Sequence, residues 1–71
     1  MVYYFYATYA DPESENYTST ERITVDLSLY PYCDPVQDKL LQAWNVAANL
    51  AYKKQKRSGR EKRTLITIIR G

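Results

Sequence analysis

Residues 31–59, PYCDPVQDKLLQAWNVAANLAYKKQKRSG, decide the fold, because here the apolar residues recur with the period of a helix rather than of a strand. Val36, Leu40, Ala43, Trp44, Ala47, Leu50 and Ala51 share one stripe, while Asp38, Gln42, Asn45, Asn49 and Lys53 line the opposite side. The spacing predicts one amphipathic helix with Trp44 on its core stripe. Its start is marked by Asp34 as a cap, Pro35 at the first helical position and Gln37 placed to reach back as in a capping box. Its end is marked by Ser58-Gly59, a pair suited to a left-handed terminus, and by basic residues that sit well against the helix dipole.

On either side the pattern changes. Residues 2–10, VYYFYATYA, are aromatic and β-branched types with strand preference. Residues 11–20, DPESENYTST, gather side chains that favour turns, and read as a long acidic hairpin loop. Residues 22–30, RITVDLSLY, alternate, with Ile23, Val25, Leu27 and Leu29 on one face and Thr24, Asp26 and Ser28 on the other. Residues 64–70, TLITIIR, read as a third strand.

The order is therefore β-β-α-β. Strands 1 and 2 make a hairpin, and a right-handed crossover through the helix sets strand 3 beside strand 1, parallel in direction to strand 2. The expected fold is a two-layer α+β domain spanning residues 1–71, its three-stranded sheet in order 2-1-3 and covered on one face by a single long helix. A small alanine under the helix places Tyr3, Phe5, Ala7 and Tyr9 inside, with Tyr4 and Tyr6 on the open face. On strand 3, either Ile66 and Ile68 or Leu65 and Ile69 point outward.

Small domains gain little stability from one core and often add a disulfide, a metal or a second subunit. Cys33 is the only cysteine and there is no histidine, so an internal disulfide and a Cys/His zinc site are both excluded. Self-association gains weight accordingly, and Leu65 and Ile69 are the candidate interface residues of a homodimer or of an obligate complex with another protein.

The same composition argues against catalysis. Without histidine the commonest general base is missing, and nothing of that kind is available to activate Cys33, which reads as a buried or incidental cysteine. Gly59 and Gly71 are the only glycines, too few for a phosphate-cradling loop. Asp11, Glu13 and Glu15 lack the spacing of a calcium loop. The expectation is a non-enzyme without metal or cofactor. A basic leader region is absent and no stretch reaches the about 20 apolar residues of a membrane span, so a cytoplasmic protein without membrane contact is expected. The sequon Asn16-Tyr17-Thr18 matters only in a secretory compartment.

Charge supplies the functional lead. Residues 1–38 carry seven acids and one base, whereas residues 39–71 carry nine bases and one acid. Such segregation points to an anionic partner on the basic side or to head-to-tail pairing of copies. Seven of the ten basic residues fall within residues 52–63. Lys53, Lys54, Lys56, Arg57, Arg60, Lys62 and Arg63 are therefore the candidate nucleic-acid-binding set for the phosphate backbone, with Tyr4 and Tyr6 on the open sheet face as candidate stacking platforms. A run of this kind is also common as a solvated helix end, and tyrosines on a strand also serve packing or an interface. The alternative function is a protein-binding module, an inhibitor or adaptor of the size encoded by viruses and mobile elements, acting through the open face or a strand edge.

Overall fold

The computed structural model describes residues 2–30 and 36–71. Strand β1, Val2–Ala10, is the middle of an antiparallel sheet, flanked by β2, Thr18–Asp26, and by β3, Thr64–Arg70. β2 and β3 run in the same direction on the two sides of β1, so the chain between them crosses over. That crossover carries the helix α1, Lys39–Lys53. The expected two-layer α+β architecture with sheet order 2-1-3 is present.

Alternation along the strands decides which side chains meet the helix. Phe5, Ala7 and Tyr9 of β1, and Ile23 and Val25 of β2, are buried against Ala43, Ala47 and Ala51 of α1. The alanines are four residues apart and so form one ridge without bulk, which lets the helix approach the sheet closely. Larger side chains close the margins: Tyr3, Leu27, Leu40, Trp44, Val46, Leu50, Leu65 and Ile68 pack half-buried around this core. The Trp44 and Phe5 rings lie 5.3 Å apart between centroids and tilted by 57°, a favoured aromatic geometry. Tyr4 and Tyr6 point to the other face, as the alternation predicts.

The element boundaries differ from the sequence expectations, each for a local reason. β2 occupies Thr18–Asp26 rather than 22–30, because the hairpin loop closes early. Tyr17 adopts a positive φ of 57°, its carbonyl accepts from the Asp11 amide at 2.8 Å, and the β-branched Thr18 pairs at once with Ala10. At the far end Asp26 stops the strand by accepting from the amide and hydroxyl of Ser28 at 3.0 and 2.7 Å, which winds Leu27–Leu29 into a 3-10 turn. Leu29, expected inside, is consequently exposed, and only Leu27 reaches the core.

The helix starts later than expected. Asp38 is its cap, accepting from the Leu40 amide at 2.8 Å, while the expected cap Asp34, Pro35 and Cys33 lie outside the described residues. Val36 and Gln37 precede the helix, so Val36 is 90% exposed rather than on the stripe. Gln42, expected on the wet side, is buried, and its amide nitrogen donates to the Gln37 carbonyl at 3.2 Å. The helix also ends earlier, with Lys54 as its cap. Ser58-Gly59 belongs to a separate turn, where Gly59 takes a φ of 69° that glycine adopts without strain.

β3 holds an irregularity that strict alternation cannot show. Thr8 pairs with Thr67 but Tyr9 pairs with Leu65, so Ile66 is an extra residue in the ladder. The bulge turns Leu65 and Ile68 toward the helix and leaves Ile66 and Ile69 in solvent. Neither expected outward pair survives it. Ile69 remains outward as expected, whereas Leu65 packs half-buried on the core.

Candidate nucleic-acid interface

The basic segment begins where α1 ends, and two of its arginines are engaged by the fold itself. Arg63 is buried beneath the helix terminus. Its Nε and Nη2 donate to the Lys54 carbonyl at 3.1 and 3.0 Å, Nη1 donates to Ser19 Oγ at 3.2 Å, and Nη2 is paired with the Glu21 carboxylate. The guanidinium also lies 4.0 Å from the centroid of the Tyr9 ring, and the Tyr9 hydroxyl donates to the Ala51 carbonyl at 2.7 Å. Burial raises the Tyr9 pKa, with the Arg63 charge opposing. These contacts secure the helix end: Arg63 claims the carbonyl of the cap residue Lys54 and supplies the positive charge that the dipole favours there.

Arg57 ties the segment to the acidic hairpin loop. It grips Asp11 through two nitrogens at 2.8 and 2.9 Å, reaches Glu13 at 3.5 Å and donates to the Glu61 carbonyl at 2.9 Å. Glu13 in turn accepts from the Glu61 amide at 2.7 Å. Asp11 is buried, and its pKa is lowered to about 2, chiefly by the Arg57 hydrogen bonds and then by the Glu13 amide, against burial, which raises it. A forked guanidinium on a carboxylate is the strong form of such a pair.

With Arg57 and Arg63 holding the acids, Lys53, Lys54, Lys56, Arg60 and Lys62 stand exposed and form no salt bridge among the described residues. Lys53, Lys56 and Lys62 converge with Tyr52 and Gln55 around an open concavity of about 420 Å³. Tyr52 and Gln55 were not singled out from the sequence. Tyr52 opens the basic run, directly before Lys53 at the end of the helix, and an aromatic ring beside clustered cations was the available signal.

Tyr4 and Tyr6 are not brought to this cluster. They project from the face of the sheet opposite α1, so the sheet stands between them and the lysines. Tyr4 carries the Arg22 guanidinium at 4.2 Å from its ring centroid. Tyr6 abuts Gly71, where an added Cβ would lie 2.6 Å from its ring. Ile69 stands beside Tyr6 on the same outer face, 56% exposed.

Among the described residues no three His, Cys, Asp or Glu side chains gather as a metal site, and no helix is long and apolar enough to cross a membrane. Compared with protein-family models, with curated proteins and with solved structures, the chain matches none.

Proposed function

We propose that the protein is a small non-catalytic nucleic-acid-binding protein that holds the phosphate backbone through Lys53, Lys54, Lys56, Arg60 and Lys62. The observation that carries this reading is the division of labour among the basic residues. Arg57 and Arg63 balance the neighbouring acids and the helix terminus, so the five remaining cations are left with solvent-facing charge and no ion-pair partner among the described residues. Flexible ammonium groups gathered in this way neutralise phosphates without reading bases.

The test is a titration of a fluorescein-labelled oligothymidine by anisotropy across a salt series. Binding is expected in the micromolar range at low salt and to weaken steeply as salt rises, because phosphate contacts release counterions. The combined variant Lys53→Gln, Lys54→Gln, Arg60→Gln, Lys62→Gln is expected to bind weakly and to flatten the salt slope by roughly 3, near 0.7 for each lost contact to a single strand. Unchanged affinity in that variant removes the cluster from the account.

A second reading is favoured by the outer sheet face, where Tyr4, Tyr6 and Ile69 are 40–56% exposed side by side. On this reading the face binds protein, a further copy of the chain included.

A further inference from the structure

We infer that the lysine-lined concavity takes a single unpaired nucleobase on the ring of Tyr52, so that the ligand is single-stranded. The inference rests on the phosphate-binding reading above and adds what kind of nucleic acid the site accepts. Of the exposed tyrosines among the described residues, Tyr4 is covered by Arg22, Tyr6 abuts Gly71, and Tyr17 closes the base of the acidic hairpin loop against Asp11. Tyr52 differs from all three. It is 63% exposed on the last turn of α1, makes no ring or cation contact among the described residues, and shares its concavity with three ammonium groups.

Gln55 supplies an independent pointer. It is 6% exposed and lines the same concavity. Its Oε1 is fixed by the Leu65 amide at 2.8 Å, which settles the orientation of the side-chain amide. The Nε2 donor has no hydrogen-bond partner among the described residues. The donor opens on the solvent of the concavity, where a ligand acceptor can replace water, and base edges offer carbonyl and ring-nitrogen acceptors. The site thus combines an open ring face, a hydrogen-bond donor and three cations for the flanking phosphates. Its size falls in the range of about 300–1,000 Å³ usual for small-molecule sites. A paired, stacked base cannot present its face to Tyr52, so a duplex engages only the lysines.

The experiment compares a labelled oligothymidine with a blunt duplex of equal length, using the full chain. Tyr52→Ala is expected to weaken single-strand binding about 5- to 150-fold, with duplex binding and the salt slope unchanged, and Tyr52→Phe is expected to retain wild-type affinity. Gln55→Glu, which keeps the acceptor for Leu65 and replaces the donor, is expected to weaken the single strand more than the duplex. Thermal unfolding of each variant checks that the fold is intact. If Tyr52→Ala leaves single-strand affinity unchanged while the lysine variant loses it, the stacking site is overturned and the phosphate grip stands. Equal losses on single strand and duplex overturn it as well. Absence of binding by the wild-type chain to either probe overturns both readings.

Discussion

Asp11 sits between the two arms of Arg57, and its carboxyl titrates near 2 rather than at the usual 3.8. Because the folded value is depressed, the unfolded chain takes up this proton first as pH falls. The contribution of Asp11 is therefore complete above about 4 and is lost as pH falls through about 2. Thermal midpoints measured from pH 2 to pH 6 are expected to fall along this limb in the wild type. Asp11→Asn is expected to unfold at a lower temperature at neutral pH and to show a flatter acid limb; identical limbs would mean that the Arg57 pair contributes nothing. Asp26 is lowered for a related reason, through the hydroxyl and amide of Ser28, and adds to the same acid limb. None of this was legible in the sequence. Asp11 and Arg57 are 46 residues apart, and a run of seven cations gives no sign of which two face inward.

The elements themselves were legible because their periods are local. Ile23 and Val25 alternate, Ala43, Ala47 and Ala51 recur every fourth residue, and both patterns lead to the observed core. Boundaries were harder, since two aspartates four residues apart, Asp34 and Asp38, each suit a cap, and only Asp38 falls among the described residues as one. The β3 bulge was invisible for another reason: in TLITIIR apolar side chains occupy both parities, so alternation carries no information about where it breaks. A pair of substitutions tests the bulge. Ile68→Ala is expected to cost about 2 kcal/mol or more, as for a packed isoleucine. Ile66→Ala is expected to remain within about 0.5 kcal/mol of wild type, as for a surface site. Chemical denaturation of both variants reads the difference, and equal costs would restore strict alternation with Ile66 and Ile68 on one face.

At the scale of the whole molecule, the charge segregation along the chain is folded back on itself. Asp11, Glu13 and Glu21 from the acidic half meet Arg57 and Arg63 from the basic half at the helix terminus. Electrostatic head-to-tail pairing of copies loses those acids as partners, and the surfaces offered for self-association are the outer sheet face and the β3 edge. If that face joins two copies, light scattering is expected to show the mass rising toward two chains with concentration, insensitively to salt. Ile69→Asp is then expected to hold the mass at one chain. A wild-type mass of one chain at every concentration removes the paired form. The position of β1 has a different kind of consequence. The middle strand precedes both of its neighbours, so on a ribosome the hairpin with β2 is available early, whereas the other edge of β1 must wait for residues 64–70 to emerge. During that interval Phe5 and Tyr9 can be sheltered by α1, but the backbone of β1 offers an open ladder to any passing strand. Arg63, the residue before β3, joins Lys54, Ser19 and Glu21 in the folded chain, so these contacts too await the end of the sequence. A chain that lacks β3 is expected to leave this edge of β1 unpaired and open to aggregation.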